Sequence, residues 1–182
     1  DGAFENTLLY YTISSREEPT RTISLGSNVV LSIRSAGRCW IIGDESLMIL
    51  DSSGVITASY DYKDQYLKMG SLQGDNYAAL YLSPSSSGST GTLVTVGSDG
   101  RAYGELALDG QTLAMAAQGK TIAVLTTNAI YTTDRNLTSY TTSPNQRGIR
   151  NLAVYADGSV ALVNSAAVSL YFSSSGTTTD AK

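Results

Sequence analysis

Residues 40–60 have the sequence WIIGDESLMILDSSGVITASY, in which a polar turn ending at Gly54 separates two apolar stretches. Asp and Ser start tight turns because their side chains accept hydrogen bonds from nearby backbone amides, and Gly adopts a positive φ without steric cost. We therefore interpret Asp51 as a turn former rather than a catalytic acid. The pattern predicts two antiparallel strands joined by this turn.

Similar turns recur along the chain in two sets, and the two sets alternate at regular intervals. The first set is centred on Gly37, Gly74, Gly119 and Gly158, and the second on Gly54, Gly100, Asn136 and Gly176. From each turn of the first set to the next turn of the second set, the distances are 17, 26, 17 and 18 residues. One repeat unit, which contains one turn from each set, is about 37 to 40 residues long. The spacing of 26 has a visible cause, because PSSSGSTG, residues 84–91, is a low-complexity insertion in the second unit.

A repeat of about 40 residues with a hairpin signal in each half is typical of a β-propeller with four-stranded blades. We predict a single all-β domain over residues 1–182, a propeller or partial propeller of about four antiparallel four-stranded blades, the first and last incomplete. The expected division is a half blade at 1–28, full blades at 29–62, 65–109 and 111–145, and an incomplete blade at 149–182. QTLAMAAQGK, residues 111–120, is rich in helix formers, but its small residues suit an innermost strand, which we predict there.

The two ends of the sequence predict an open arrangement of blades. TLLYYTIS and PTRTISLG, joined by SREE, form the outer half of one blade, whereas the last unit provides three strands without a fourth. Three arrangements satisfy this pattern: a closed four-blade ring, the second half of a seven- or eight-bladed protein, or two copies that complete a larger ring. The expected partner in closing the propeller is thus either a second copy, in a homodimer, or a missing N-terminal half.

The stretch ILDSSGVI, residues 49–56, resembles the blade turn of quinoprotein-like and WD40-like propellers, in which Leu-Asp, a short turn and a Gly precede the outer strand. The tryptophan that follows the glycine in quinoprotein repeats is absent from every unit, as are the Gly-His and Trp-Asp pairs of WD40 repeats. Overall, the chain is most similar to uncharacterised propeller proteins of Gram-positive bacteria, which carry a domain of unknown function and often an N-terminal membrane anchor. This resemblance implies a propeller fold and a cell-surface setting, but no activity.

The composition excludes several kinds of chemistry. The chain has no histidine and one cysteine, Cys39, which excludes Ser-His-Asp and Cys-His catalysis, His-ligated zinc and iron–sulfur clusters within one chain. The net charge of −4 and the lack of a basic stretch argue against nucleic acid, and no segment is long enough to span a membrane. We therefore assign no catalytic residue, and we expect no cofactor, no metal, no nucleic-acid partner and no direct membrane insertion of this segment.

The best candidates for ligand contacts lie in two loops that connect one blade to the next. Tyrosine occurs 12 times against 2 Phe and 1 Trp, and its amphipathic ring suits binding surfaces as well as strand packing. One candidate loop carries Tyr60, Asp61, Tyr62, Lys63 and Asp64, and the other carries Asn145, Gln146, Arg147 and Arg150.

The sequence favours a non-enzymatic propeller that acts as a binding or scaffold module of the bacterial cell envelope, with a protein or glycan partner. A charged fraction of only 15% and a single cysteine suit an extracellular or cell-surface protein. The alternative is a glycan-cleaving propeller enzyme that uses loop carboxylates such as Asp61 and Asp64, because glycosidases need two such groups roughly 5–10 Å apart. A third hypothesis is quinone binding, against which the missing tryptophan counts.

Overall fold

The computed structural model describes residues 5–146, 148–171 and 177–180. Within these residues the chain forms eighteen β-strands and no helix, which confirms the all-β fold class. An N-terminal hairpin contains β1 (Asn6–Tyr10) and β2 (Arg21–Gly26). The remaining strands form four antiparallel sheets that follow one another along the chain.

The first sheet contains β3 (Val30–Ala36), β4 (Arg38–Gly43), β5 (Ser46–Leu50) and β6 (Ile56–Asp61). The second contains β7 (Tyr66–Ser71), β8 (Tyr77–Ser83), β9 (Thr92–Gly97) and β10 (Ala102–Ala107). The third contains β11 (Thr112–Gln118), β12 (Thr121–Thr126), β13 (Ala129–Thr133) and β14 (Ser139–Pro144), with β18 (Thr177–Asp180) as a fifth strand. The fourth contains β15 (Ile149–Val154), β16 (Val160–Asn164) and β17 (Val168–Tyr171).

Each sheet is a meander whose first strand lies innermost. The strand β11 contacts both β7 and β15, so the first strands of successive sheets lie side by side. The middle strands are apolar on both faces, and every residue of β8 is buried because a neighbouring sheet covers each side. This succession of radially arranged sheets defines a β-propeller, as predicted, in which the N-terminal hairpin and the fourth sheet are incomplete blades in the described residues. Residues 112–118 form the expected innermost strand rather than a helix.

Four apolar clusters hold successive sheets together face to face. One lies between the N-terminal hairpin and the first sheet and includes Ile23, Ile41 and Leu50. The others lie between the first and second, second and third, and third and fourth sheets. Each sheet thus buries an apolar face against the next one, which is the main source of stability in a propeller.

Asp51 is a turn former, as its sequence context indicates. Its carboxylate accepts hydrogen bonds from the backbone amides of Ser53 and Val55, at 2.8 and 2.9 Å, and from the Ser53 hydroxyl at 2.7 Å. Gly54 follows with φ +76°. The turn also joins two sheets, because the Tyr10 hydroxyl of the hairpin donates to the Ser52 carbonyl at 2.6 Å.

The corresponding turns of the second and third sheets rest against the outer strand of the sheet before them. A Cβ at Gly100 would lie 2.7 Å from the Ser59 carbonyl oxygen of β6. A Cβ at Gly104 of β10 would lie 2.1 Å from the Asn136 carbonyl oxygen in the third sheet's turn. The fourth turn, at Gly176, lies outside the described residues. The repeated turn therefore spaces adjacent blades as well as reversing the chain.

The pairing partner of the C-terminal strand was not predicted from the sequence. The strand β18 pairs antiparallel with β14, the outer strand of the third sheet, and does not join β17. The outer edge of the fourth sheet is therefore unpaired in the described residues.

Candidate functional site

The meander places two kinds of connection at the same end of every sheet: the turn between the second and third strands, and the link to the next sheet. We call this the loop end. In the first sheet the two connections touch, because the Tyr62 amide donates to the Glu45 carbonyl at 3.2 Å. They line a cavity of about 610 Å³ between the first and second sheets.

The link from the first to the second sheet is a tight, strained turn. The Gln65 amide donates to the Tyr62 carbonyl at 3.1 Å, and the Lys63 amide donates to the Asp61 carboxylate at 2.8 Å. Lys63 and Asp64 both have positive φ, at 52° and 64°, which is uncommon for residues other than Gly, although Asp tolerates it better than Lys. This conformation holds the Asp61 and Asp64 side chains beside the cavity.

The two tyrosines of the same loop have different environments. Tyr62 is buried, and its hydroxyl donates to the Gly43 carbonyl at 3.1 Å, so this residue attaches the loop to the end of β4. Burial, with smaller contributions from Asp44 and Tyr60, raises the pKa of the Tyr62 hydroxyl. Tyr60 is half-buried, and its ring centroid lies 6.4 Å from that of Tyr62. The pKa of its hydroxyl is raised, mainly by burial and to a smaller extent by the negative charge of Glu105.

The cavity is acidic and carries an exposed aromatic ring. Four carboxylates line it together with the 49% exposed ring of Tyr66: those of Asp44, Glu45, Asp61 and Asp64. Asp44 accepts a hydrogen bond from the Val29 amide at 2.6 Å, and Glu45 accepts one from the Ser27 hydroxyl at 2.7 Å. A cleft lined by charges of one sign focuses the electrostatic field, so this site favours amino, guanidinium or hydroxyl groups.

Asp44 and Glu45 were not among the sequence candidates. The signal was present in GDES, residues 43–46, a short polar turn between two apolar strands. In a four-stranded meander this turn lies at the same end as the link to the next sheet. The meander topology therefore brings residues 44–45 of this turn next to residues 61–64 of the link.

The second candidate loop lies at the same end of the molecule but apart from the cavity. The Asn145 amide donates to the Asn128 carbonyl at 2.9 Å, and its side-chain amide donates to the Thr126 carbonyl at 2.8 Å, which fixes the loop to the third sheet. Gln146 and Arg150 are exposed, and neither contributes to the described lining of the acidic cavity. Arg147 lies outside the described residues.

The described residues contain neither a metal-binding cluster nor a membrane-spanning helix. In that part of the chain, no group of three or more Asp, Glu, Cys or His side chains is arranged to hold a metal ion. No helix within the described ranges has the length and apolar character needed to cross a membrane.

No protein-family model matches the sequence, and no curated protein matches it either. Solved structures do match. The chain is similar to KlAtg21 in its complex with the coiled-coil of AgAtg16, with 12% identity, a TM-score of 0.59, and coverage of 92% of this chain and 63% of that one. It is also similar to the computationally designed Ika4 protein, with 13% identity, a TM-score of 0.55, and coverage of 78% of this chain and 91% of that one.

The similar structures include one WD40 domain. For the Neurospora crassa Pan2 WD40 domain the identity is 10% and the TM-score 0.38, over 84% of this chain and 65% of that one. All three identities are low, so the comparisons concern the fold alone. The strand order and the succession of sheets define the chain as a propeller-like all-β protein, and the two similarities with TM-scores above 0.5 agree with this fold.

Proposed function

We propose that this chain is a non-enzymatic propeller domain over residues 1–182 that binds a protein or glycan partner through its loop end, as a module of the bacterial cell envelope. The observation that carries the proposal is the acidic cavity between the first and second sheets. Its volume of about 610 Å³ is in the range of small-ligand sites, and it is large enough for one sugar unit or one long basic side chain. The location outside the cell rests on the low charge and the single cysteine of the sequence.

In this proposal, the residues of the first loop have two different roles, ligand contact and positioning of the loop. Asp61, Asp64 and the exposed Tyr66 contact the ligand, together with Asp44 and Glu45 from the neighbouring turn. Tyr62 holds the loop in place through its hydrogen bond to Gly43. Asn145, Gln146, Arg147 and Arg150 form a second contact surface, which a large partner reaches at the same time.

The first test compares two aspartates at opposite ends of the sheets. A Lys- and Arg-containing peptide and an N-acetylglucosamine oligomer serve as probes, with calorimetry or NMR titration as the readout. We expect Asp61→Asn to weaken binding of the effective probe by about 2- to 5-fold, the scale of one solvent-exposed charge contact. Asp75→Asn is the matched control, because Asp75 lies in the turn between β7 and β8, at the other end of the second sheet. Equal effects of the two substitutions, or no binding of either probe, would contradict the proposal.

A second candidate function is glycan cleavage, which the convergence of Asp44, Asp61 and Asp64 on one cavity favours. In that case one carboxylic acid would protonate the leaving oxygen, and a second carboxylate would act as base or nucleophile. Incubation of the wild-type chain with the same oligomer separates the two candidates. Release of shorter sugars that is lost in Asp61→Asn would support an enzyme, whereas binding without turnover supports the module.

A further inference from the structure

The faces of the middle sheets are covered on both sides, but a face at each end of the series is not. The second sheet packs on the first, the third on the second, and the fourth on the third, each through an apolar cluster. The N-terminal hairpin covers part of the first sheet in the same way. Two apolar surfaces are left over, one at the start of the series and one at its end.

The surface at the start belongs to the innermost strand of the first sheet. Ile33 of β3 pairs with Ile41 of β4, so both side chains lie on the face that the hairpin covers. Ile41 is fully buried, but Ile33 is 52% exposed, because the two-stranded hairpin does not extend over the inner part of the sheet. The exposed area is where a complete blade would have its inner strands.

The surface at the end belongs to the fourth sheet. One face of this sheet packs on the third sheet through Leu152, Val160 and Leu162. Ala161 pairs with Leu170 and Val163 pairs with Val168, which places these side chains on the opposite face. Leu170 and Val168 are 58% and 65% exposed, a high value for large apolar residues in a strand. Among the described strands, none pairs with the outer backbone edge of β17.

The two surfaces are complementary. In the described residues the fourth sheet has three strands, starting from the innermost one, whereas the hairpin has two strands, which pack on the first sheet through Ile41 and Leu50. Together they would form a sheet of five strands, the number that the third sheet already holds. In such a blade, the face of the fourth sheet that carries Ala161, Val168 and Leu170 would cover the face of the first sheet that carries Ile33, in continuation of the existing packing between sheets. Within the described residues of one chain, Ile33, Val168 and Leu170 are all exposed.

We propose that two copies of this chain close into one ring, in which the fourth sheet of each copy joins the hairpin and covers the β3 face of the other. The two joints are identical and related by a two-fold axis, and each joint is heterologous because it uses a different surface from each copy. The ring has eight blades: three complete ones from each copy and two that are shared. This inference does not depend on the binding function proposed above.

Light scattering on the 182-residue chain, over a range of concentrations, measures the assembly. We expect twice the mass of one chain. We expect Leu170→Glu and Ile33→Glu each to give a monomer, because each substitution places a charge in both joints. Leu113→Glu is the matched control, because Leu113 is also exposed but lies in the third sheet, and this variant should remain a dimer.

Mixing the two monomeric variants tests the heterologous geometry. A mixed pair retains one unaltered joint, formed by the β3 face of the Leu170→Glu copy and the fourth sheet of the Ile33→Glu copy, so an equimolar mixture should recover dimers. A monomeric wild type would overturn the proposal and leave these surfaces to a further chain segment or another protein. Loss of the dimer with only one substitution would also overturn it, because that result indicates pairing of like surfaces.

Hydrogen exchange on the wild-type chain tests the same dimer without any substitution, so its result does not depend on whether the variants fold. The amides of β3 and β17 should exchange more slowly at concentrations where the dimer forms, and those of β8 should not change. Concentration-independent exchange in β3 and β17 would overturn the proposal.

Discussion

At the scale of single residues, the turn aspartates show how one side chain organises a strand connection. The pKa of Asp51 is lowered by hydrogen bonds from the Val55 amide and then the Ser53 hydroxyl. The pKa of Asp157, in the turn between β15 and β16, is lowered in the same way by Ser159. Both carboxylates are acceptors for the backbone of their own turns, and neither lines the acidic cavity.

Asp51 should therefore contribute stability that depends on pH. A pKa that is lowered in the folded state gives stability above the unfolded value of about 3.9, and this stability is lost as the pH falls through the folded value. We expect Asp51→Asn to lower the melting temperature by about 2–4 °C at pH 7, and by progressively less below about pH 4. Thermal melts of both proteins from pH 2.5 to 7 measure this difference. Asp99→Asn is the control and should have a smaller effect at pH 7, because the described contacts of the Asp99 carboxylate are one 3.1 Å hydrogen bond from the Arg101 amide and an exposed 4.0 Å ion pair with the Arg101 side chain. Equal shifts in the two variants, or a shift independent of pH, would contradict this account.

At the scale of elements, strand positions could be predicted from the sequence but strand partners could not always be. From β3 to β17, the turns predicted from the sequence, at Gly37, Gly54, Gly74, Gly100, Gly119, Asn136 and Gly158, each join two successive strands of one sheet, because Gly and Asx residues reverse the chain. The pairing of β18 with β14 was missed, because TTTD, residues 177–180, carries no pattern that specifies which sheet edge it joins. Two of the four carboxylates that line the acidic cavity, Asp61 and Asp64, were sequence candidates because of their loop position, whereas Asp44 and Glu45 could be placed there only from the topology of the meander.

The turns also act as spacers between blades, and two glycines separate this role from chain reversal. Gly37 and Gly100 have φ of +73° and +76°, so alanine is similarly strained at both positions. A Cβ at Gly37 has no atom within 4 Å, whereas at Gly100 it meets the Ser59 carbonyl oxygen of the preceding sheet at 2.7 Å. We expect Gly37→Ala to cost about 1–2 kcal/mol, from backbone strain alone. Gly100→Ala should cost about 1–3 kcal/mol more, because the sheets must move apart. Urea unfolding measures both values, and equal losses would show that the turn does not set the spacing of the blades.

At the scale of the whole molecule, the series of sheets predicts a gradient of local stability. Each sheet contacts only its neighbours, as in a repeat protein, so sheets in the middle of the series are supported on two sides and those at the ends on one. All seven residues of β8 are buried, and the core between the second and third sheets includes Tyr77, Tyr81 and Leu93. In contrast, three of the four residues of β17 are exposed. Support from both sides should therefore make the second and third sheets the last to open.

Hydrogen exchange on dilute protein, where chains are separate, should follow this order. We expect the amides of β8, β9 and β12 to exchange slowest and at a common rate set by global unfolding, because opening any of them disrupts two apolar clusters. Amides of β1, β2 and β17 should exchange faster by about 10- to 100-fold, the factor that corresponds to about 1.4–2.8 kcal/mol less local stability. Leu80→Ala supplies the control, because this fully buried residue of β8 contributes to the cluster between the first and second sheets. It should accelerate exchange in β8 and leave that in β17 unchanged, since β17 already opens without the rest of the molecule. A uniform rate along the whole chain would instead mean that the sheets unfold as a single unit, with the end sheets as stable as the middle ones.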